Sequence, residues 1–469
     1  MTVHSQALKN ICALVGPKGW IDAEADMQPY LREERGLYQG TAAAVVKPAS
    51  TDEVAAVLKL CFEAGLGVVP LGGNTGLVGG GVANFSDGNG IVLSCERLNA
   101  IRNVDPLNQT ITVEAGVILA EIQRAAEEAD ALFPLSLGAE GSCRIGGNLS
   151  TNAGGVQVLR YGNARDLVLG LEVVLADGRT WNGLRALRKN NTGYDLKHLF
   201  IGAEGTLGMI TAAVLKLYPK PKERETALCA AADAGSLLQV FQRVRENAGE
   251  TLSAFEIMNR FGIEIANKHV PAASDPFDRA HKEYALIELS GTVGIRKTLE
   301  EVLGNALEDG LIDDAVFAAS HAQSEDLWAI REAIPEAQKH EGGSIKHDVS
   351  VPISRVGDFL EKATAMVEAE LPGVRVCAFG HAGDGNIHYN LSQPVDADKD
   401  AFLENWGRIN RLVHDLVMEM RGSFSAEHGI GQLKRGDLVR YKSDVEMDLM
   451  RTMKQALDPT NIMNPGKVI

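Results

Sequence analysis

The distribution of glycine is the strongest constraint on what this chain can fold into. The sequence holds 49 glycines in 469 residues, more than the roughly 7% that is usual in proteins. They gather at 72–81, 138–155, 202–208 and 380–385 and are not spread as a linker. Because glycine has no side chain, it lets the backbone approach a ligand or another segment closely. The pattern therefore predicts several loops packed around bound molecules.

Length and charge narrow the class of protein. A chain of 469 residues exceeds one ordinary hydrophobic core, so we expect two or three domains, or one large domain with an insertion. Apolar residues make up 45% and charged residues 23%, which is typical of a globular protein. The net charge of −16 disfavours nucleic acid or an anionic membrane as the main partner. A small anionic substrate stays open, because a local basic pocket can outweigh the global field.

Cysteine spacing and apolar runs bear on the compartment. The 6 cysteines contain no CxxC pair, which argues against a disulfide framework and against an iron–sulfur cluster on this chain. The N-terminus lacks the basic-then-apolar order of a signal peptide, and no apolar run reaches the roughly 18 residues of a membrane span. We therefore predict a soluble, cytoplasmic protein without a membrane span.

The first half of the chain carries strand–helix–strand signals. Residues 44–46 are a strand candidate, and Ser50 with Glu53 forms a capping-box pattern at a helix start. Gly65 suits the end of that helix, and residues 68–71 are the next strand candidate. Such a unit predicts an α/β or α+β core.

From residue 173 onward the sequence indicates antiparallel strands. Residues 173–175 and 180–181 flank Asp177-Gly178, which predicts a hairpin with a two-residue turn. The proline-and-charge stretch 219–223 predicts a domain boundary. Beyond it, residues 222–421 alternate helix and strand patterns, and we expect an antiparallel sheet with helices on one face.

The first glycine cluster follows a strand. The successive backbone N–H groups of residues 69–81 can form an anion nest that suits a pyrophosphate. The loop does not open a helix, so the dinucleotide fingerprint of a nicotinamide Rossmann fold is not met, and no P-loop pattern occurs. From these residues alone, a glycine-rich turn without a ligand stays an alternative.

A second motif concentrates histidines. The segment FGHAGDGNIHYN at 379–390 holds His381 and His388, which would point to opposite faces of a straight strand. Gly383–Asn386 is a turn sequence that can fold the segment back and bring both rings together. With Glu427 they make two histidines and a carboxylate with an open position, which is a catalytic divalent-metal set. The metal stays open, and hydrogen-bonded core histidines are the alternative.

Taken with the first loop, three more segments carry a family resemblance. PLSLGAEGSCRIGGNLSTNAGG at 134–155, NTGYDL at 191–196 and FIGAEGTLGMI at 200–210 together resemble the FAD-binding domain of the vanillyl-alcohol-oxidase/PCMH superfamily. The resemblance implies bound FAD. It assigns Gly72, Gly73, Asn74, Thr75 and Gly76 to the pyrophosphate; Ser136, Gly141, Ser142, Gly146, Gly147, Asn148, Thr151 and Gly155 to the flavin and ribityl chain; and Glu204, Gly205 and Ile210 to the adenine half. Residues 70–82 hold no histidine or cysteine, so we predict non-covalent FAD.

The histidine motif narrows the resemblance. HAGDGNIHYN, SAEHGIG at 425–431 and LDPTNIMNPGK at 457–467 resemble the D-2-hydroxyacid dehydrogenase branch, with Asn464 as a further cofactor residue. The resemblance implies that His381, His388 and Glu427 bind a divalent metal, with zinc expected, and that His428 is the catalytic base. It also implies that Arg331, Lys346 and Asn390 bind substrate. Pro335 departs from the D-2-hydroxyglutarate pattern, which has a hydroxyl-bearing residue there.

The resemblance also implies architecture. We expect an α+β fold with a two-part PCMH-type FAD-binding domain and an inserted substrate, or cap, domain of antiparallel sheet and helices. The expected boundaries are 1–220 for the FAD-binding domain with an N-terminal segment, 221–421 for the substrate domain, and 422–469 for a C-terminal segment that returns to the FAD domain.

The implied reaction is oxidation of a D-2-hydroxyacid to the 2-oxo acid by hydride transfer to flavin N5. D-2-hydroxyglutarate leads, with D-malate or D-lactate as the other substrates, and the electrons pass to an external electron-transfer flavoprotein, quinone or cytochrome. Two alternatives stay open: an FAD-dependent alcohol oxidase using oxygen, and the flavin subunit of a glycolate-oxidase-like complex. The sequence does not fix the oligomeric state, and a homodimer stays open.

Overall fold

The computed structural model describes residues 3–85 and 87–469. The chain forms two compact units. The first comprises residues 1–154, 162–220 and 428–469, and the second comprises 155–161 and 221–427. Among the described residues, no helix is both long and apolar enough to cross a membrane.

The strands run along the whole chain. They are β1 Trp20–Ile21, β2 Ala44–Val46, β3 Gly67–Leu71, β4 Gly90–Ser94, β5 Ile101–Asp105, β6 Thr110–Glu114, β7 Ala131–Leu132, β8 Val168–Val174, β9 Thr180–Asn182, β10 Met209–Lys216, β11 Tyr218–Pro219, β12 Glu223–Ala231, β13 Leu252–Asn259, β14 Glu283–Gly291, β15 Asp314–Phe317, β16 Ser344–Ile345, β17 Asp348–Ser350, β18 Arg375–Gly380 and β19 Asn386–Ser392.

Helices alternate with these strands. They are α1 Val3–Val15, α2 Glu24–Leu31, α3 Thr51–Ala64, α4 Leu119–Glu128, α5 Ile145–Ser150, α6 Val158–Tyr161, α7 Lys197–Phe200, α8 Ala234–Ala248, α9 Arg260–His269, α10 Ile295–Glu308, α11 His321–Ala337, α12 Val356–Glu370, α13 Lys399–Leu403, α14 Trp406–Glu419, α15 Arg435–Tyr441 and α16 Asp444–Leu457. Short 3-10 turns occur at Ala164–Leu167, Gly249–Thr251, Gln338–Glu341 and Ile353–Arg355.

The first unit opens with the predicted strand–helix–strand module. In a sheet of order β1-β2-β4-β3, the last three strands are parallel. The Ser50 side chain accepts the Glu53 N–H at 3.1 Å and caps α3, and Gly65 ends the helix at φ 68°. These local signals confirm the predicted helix, because each satisfies a backbone group that a helix end would otherwise leave unpaired.

A five-stranded antiparallel sheet of order β5-β6-β10-β8-β9 forms the other part of this unit. The predicted pairing of β8 with β9 is confirmed, but the predicted two-residue turn is wrong. The Leu175 N–H still donates to the Arg179 carbonyl at 2.9 Å, so Ala176, Asp177 and Gly178 make the loop. The turn packs against α3, since a Cβ on Gly178 would lie 2.6 Å from the Ala55 carbonyl.

The C-terminal segment runs beside β3 in the first unit. The Val68 N–H donates to the Ile462 carbonyl at 2.7 Å, and the Asn464 N–H donates to the Val68 carbonyl at 2.7 Å. This ladder fixes the residues after α16 next to the strand from which the first glycine loop emerges.

The second unit is built on an eight-stranded sheet of order β15-β12-β14-β13-β18-β19-β16, with β17 also paired to β19. All of its neighbouring strands are antiparallel, as predicted. Successive residues of a strand point to opposite faces. On β13, Ile257 belongs to the core cluster that includes residues of α8, α10, α12 and α14, whereas Met258 belongs to the cluster that includes residues of α9 and α11. Helices therefore cover both faces, and the expectation of helices on one face is wrong.

The predicted turn between the two histidines exists as the β18–β19 hairpin. Phe379 pairs with His388, and Gly385 takes a φ of 86° in the connection. A Cβ on Gly385 would lie 2.2 Å from the Val351 carbonyl, so this close approach requires glycine. The hairpin folds the segment back and places His381 and His388 near one another.

Candidate functional site

A cluster of two histidines and a carboxylate lies in the second unit. His381 Nε2 is 3.5 Å from Glu427 Oε1, and His388 Nε2 is 3.5 Å from Glu427 Oε2. One ligand atom of each residue lies within 4.8 Å of the other two. Two imidazoles and a carboxylate at this separation are a donor set that suits zinc and leaves a position for a substrate. The residues present therefore fit a divalent metal.

Two further residues hold the first histidine. His381 Nδ1 lies 2.6 Å from Oε1 of Glu256, and the other oxygen of Glu256 accepts the Nε–H of Arg331 at 2.8 Å. Glu256 is buried on β13, which pairs with β18 through Ile257 and Gly380. A carboxylate behind a ligating histidine fixes its ring orientation and raises its basicity, as in many metal sites.

The pKa values of the two histidines are shifted in opposite directions. Burial disfavours the charged ring of His388 and lowers its pKa to about 4, so this imidazole is neutral. Burial also acts against charge on His381, but Glu256 and Glu427 outweigh it and raise its pKa to about 10. Burial alone would likewise raise the pKa of Glu256, yet His381 and Arg331 hold it at about 2. Negative charge thus dominates around His381, which favours a cation there.

Glu427 is positioned through its backbone. Its N–H donates to Asp348 Oδ2 at 2.9 Å, and Asp348 Oδ1 accepts from Asn386 Nδ2 at 3.0 Å. Asp348 and Asn386 are both buried, on the neighbouring strands β17 and β19. The sheet therefore carries a chain of hydrogen bonds from Asn386 through Asp348 to the backbone N–H of Glu427.

The two predicted substrate cations lie near the same strand. Burial raises the pKa of the Cys377 thiol on β18 to about 12, and both Lys346 and Arg331 act against that rise, which places them close to it. Arg331 is buried, with its guanidinium 4.7 Å from the Phe379 ring. Beyond the Nε bond to Glu256, its two terminal nitrogens bond to none of the residues that the structure describes. They suit a carboxylate of a ligand.

The other predicted substrate residues differ in their surroundings. Asn390 is buried, and its amide already donates to Gln338 at 3.0 Å and accepts the His347 N–H at 3.3 Å. Pro335 is exposed on α11, one turn after Arg331. His428 follows Glu427 in the chain and belongs to the first unit, whereas the metal cluster belongs to the second.

The predicted FAD loops meet each other in the first unit. A Cβ on Gly73 would lie 2.4 Å from the Ser142 carbonyl, and one on Gly72 would lie 3.1 Å from Gly147 Cα. Gly76 and Gly141 instead have open space where a Cβ would be. All of the predicted cofactor residues fall in this unit except Gly155, which falls in the second. The loops are thus packed on one side and open on the other, as a cofactor cradle requires.

Unsatisfied polar atoms line the same loops. Asn148 Oδ1 and Asn464 Oδ1 are buried and have no hydrogen-bond partner among the described residues. Asn464 Nδ2 donates to the carbonyls of Gly80 at 3.0 Å and Glu204 at 2.7 Å. Buried acceptors without partners in the chain are what a bound molecule with N–H and O–H groups would satisfy. The residues present therefore fit FAD.

The Glu204 side chain bonds the backbone of another segment of the first unit. Its carboxylate is buried and accepts the N–H groups of Ile430 at 2.7 Å and Gly431 at 2.8 Å. Burial raises its pKa, while these two bonds act in the opposite direction. The side chain therefore anchors the segment after His428.

Sequence reasoning missed four residues that these sites use. Glu256 contacts His381, Asp348 and Asn386 hold the backbone of Glu427, and Lys467 is buried next to Val468, which bonds Gly431. An acidic residue inside the apolar run LSAFEIM was the available signal for Glu256, since an unpaired charge is rarely buried. The others carried no signal beyond their places in motifs.

Comparisons with known proteins identify the family. Residues 220–468 match the family described as FAD linked oxidases, C-terminal domain, and residues 42–183 match the FAD binding domain family. The chain is 40% identical over 440 residues to D-2-hydroxyglutarate dehydrogenase, mitochondrial, of Danio rerio, covering 92% of this chain and 79% of the relative. It is 38% identical over 470 residues to a probable D-2-hydroxyglutarate dehydrogenase, mitochondrial, of Oryza sativa subsp. indica, covering 100% and 82%.

Solved structures extend the comparison to the fold. The chain resembles p-cresol methylhydroxylase with a TM-score of 0.76 at 16% identity, over 99% of this chain and 96% of that one. At this identity the likeness concerns the fold alone. It confirms the predicted α+β class with a PCMH-type FAD-binding fold.

The sequence relatives correct the prediction of a cytoplasmic location. Both named relatives are mitochondrial, so the predicted cytoplasmic location is contradicted and is wrong. Cysteine content and apolar runs do not distinguish a cytoplasmic from a mitochondrial protein. Both compartments keep thiols reduced, and a protein in either can lack a membrane span.

The matches to both family descriptions and the identity over nearly the whole chain confirm the resemblance first indicated by the glycine and histidine motifs. The chain therefore belongs to the FAD-linked oxidase family, with D-2-hydroxyglutarate dehydrogenases among its relatives.

Proposed function

We propose that this protein is an FAD-dependent dehydrogenase that oxidises a D-2-hydroxyacid to the 2-oxo acid. The observation that carries the proposal is the placement, within one unit, of a His–His–Glu set and the cations Arg331 and Lys346 around strand β18. A 2-hydroxyacid has a carboxylate and an oxygen that a cation can polarise. The relatives named for D-2-hydroxyglutarate support this substrate class.

FAD, when bound, supplies the hydride acceptor for the hydrogen on C2. The glycine loops around Gly73 and Gly147 would hold it, with Asn148 and Asn464 as acceptors for its donors. No histidine or cysteine lies in residues 70–82, so the proposal includes non-covalent binding.

A divalent metal, with zinc proposed, supplies Lewis acidity toward the substrate hydroxyl. His381, His388 and Glu427 would hold it, since their ligand atoms converge within 4.8 Å. Glu256 keeps His381 oriented through the 2.6 Å contact at Nδ1. His388 offers a neutral imidazole, His381 would give up its proton on binding the ion, and Glu256 would keep negative charge behind it.

The cations orient the substrate. The two terminal nitrogens of Arg331 form a fork that matches a carboxylate, and Lys346 adds a second positive charge. A dicarboxylate such as D-2-hydroxyglutarate can use both, whereas D-lactate can use only one. Asn390 has one N–H left beyond its bond to Gln338 and would add a single hydrogen bond.

His428 is proposed as the base that takes the hydroxyl proton on an imidazole nitrogen. Histidine is the side chain that most often serves as a general base at neutral pH. The electrons then leave to an external acceptor, for which an electron-transfer flavoprotein, a quinone and a cytochrome are the candidates. Reoxidation rates of the reduced holoenzyme with each of these and with oxygen separate the proposed dehydrogenase from an oxidase.

The test is a substrate screen on the purified holoenzyme with an artificial electron acceptor. It compares the D and L forms of 2-hydroxyglutarate, malate and lactate. The proposal predicts turnover with the D forms and the highest kcat/KM for D-2-hydroxyglutarate. Turnover with L forms alone, or with none of these acids, would refute it.

A further inference from the structure

The last residues of the first unit include a buried lysine, Lys467. Lys467 is 2% exposed. The Val468 N–H donates to the Gly431 carbonyl at 2.9 Å, which fixes the backbone next to it. Three residues earlier, the Asn464 amide donates to Gly80 in the first glycine loop and to the Glu204 carbonyl. Lys467 is therefore held beside the loops that fit FAD.

The ammonium group of Lys467 has no partner in the part of the chain that the structure describes. Among residues 3–85 and 87–469, no hydrogen-bond acceptor and no carboxylate contacts it. Burial lowers its pKa to about 8, and Arg435 adds repulsion in the same direction. The half-buried Lys454 is a contrast in the same unit, because its ammonium bonds Asp458 at 2.6 Å and two backbone carbonyls.

A buried charge without a partner is strongly unfavourable, so buried charges are paired or bind a ligand. Met or Leu at position 467 would fill the space without that cost. Two acceptors without partners among the described residues, Asn148 Oδ1 and Asn464 Oδ1, lie on the glycine loops and on the C-terminal segment and would satisfy donors of the same ligand. A hydrogen-bond donor and two acceptors in this unit therefore have no partner among the described residues.

We propose that Lys467 is the counter-charge for an anionic group of the bound FAD. This inference rests on the proposed function only in that the chain binds FAD. FAD has two such groups: the pyrophosphate, which is always charged, and the N1–C2=O edge of the isoalloxazine, which gains negative charge when the flavin is reduced. The first would make Lys467 a determinant of FAD affinity, and the second a determinant of reduction potential.

The experiment compares holoenzymes with Lys467→Met, which removes the charge, and Lys467→Arg, which keeps it. Lys59→Met is the matched control, because Lys59 is exposed on α3. Two quantities are measured: the FAD dissociation constant, from flavin fluorescence on dilution, and the two-electron midpoint potential. Should Lys467→Met not fold, Lys467→Gln takes its place with the same measurements.

Contact with the pyrophosphate predicts that Lys467→Met weakens FAD binding roughly 10- to 100-fold at an unchanged potential, the loss of one charge-assisted contact. Contact with the isoalloxazine predicts a lower potential, by about 30 mV for each tenfold selective loss of reduced flavin. In both cases Lys467→Arg recovers most of the effect.

Wild-type dissociation constant and potential in the folded neutral variant would overturn the inference about Lys467. A wild-type protein that carries no flavin would instead refute the proposed function, whatever the variants do. The two failures are therefore distinguishable.

Discussion

Neutralising Glu256 tests how the proposed metal site of His381, His388 and Glu427 is organised. The carboxylate is 1% exposed and bridges His381 Nδ1 at 2.6 Å and Arg331 Nε at 2.8 Å. Glu256→Gln keeps the shape of the side chain but removes the charge behind the histidine and beside the arginine. Both partners are affected by one substitution, because each contacts a different oxygen.

Two magnitudes follow from this geometry. Removing the outer partner of a ligating histidine typically costs about 10- to 100-fold in metal affinity. Breaking a buried ion pair leaves Arg331 uncompensated, and such losses cost about 3–5 kcal/mol of unfolding free energy. We expect the variant near the lower end of both ranges, because the glutamine oxygen can still accept one hydrogen bond.

The assay is zinc competition with a chromogenic chelator, together with urea unfolding of the same samples. Glu288→Gln is the matched control, since Glu288 is also buried in this sheet and bonds Ser253 at 2.9 Å and Trp328 at 3.0 Å. The control should lose stability but keep its zinc affinity. An affinity in Glu256→Gln within twofold of the wild-type value would refute the assigned role of Glu256.

Three further predictions concern other parts of the chain. Burial, together with the negative charge of Asp233, raises the pKa of Glu283 to about 8 in the folded protein, from about 4.5 in the unfolded chain. The free energy of unfolding therefore falls as the pH rises from about 4.5 to about 8. Glu283→Gln should therefore gain on the order of 1–3 kcal/mol at about pH 8 and little at about pH 4, measured by urea unfolding, and equal gains at both pH values would contradict this. Gly73→Ala should cost about 1–3 kcal/mol or more in thermal unfolding and release FAD, because its Cβ would lie 2.4 Å from the Ser142 carbonyl, whereas Gly436→Ala, with nothing within 4 Å, should not. Lys346→Ala should raise KM roughly 10- to 100-fold for D-2-hydroxyglutarate and much less for D-lactate in steady-state kinetics, and equal increases for both acids would argue against its binding the second carboxylate.

Local sequence signals predicted the local structure well. The α3 helix follows from Ser50, Glu53 and Gly65, because capping and termination depend on residues within a few positions. The β18–β19 hairpin follows from the glycine-rich turn for the same reason. The loop between β8 and β9 was mispredicted because its conformation depends on packing against α3, which is distant in sequence.

In the candidate site, too, the residues in local motifs were predicted and those that depend on long-range contacts were not. The convergence of His381, His388 and Glu427 was predicted, since a short turn joins the histidines and the family motif supplies the glutamate. The role of Glu256 was not predicted. This residue lies 125 positions from His381 in the sequence and reaches it only through the pairing of β13 with β18. Long-range strand register has no signature in a single sequence, so the supporting residues of a site are harder to predict than its ligands.

Anaerobic reduction of the enzyme-bound flavin by D-2-hydroxyglutarate tests the central claim most directly. The visible flavin band is followed in the native holoenzyme, after removal of metal by a chelator, and after zinc is added back. We expect bleaching by the D form but not by the L form, loss of bleaching without metal, and recovery with zinc. A flavin that stays oxidised with the D form in the metal-loaded enzyme, or that bleaches equally well without metal, would contradict it.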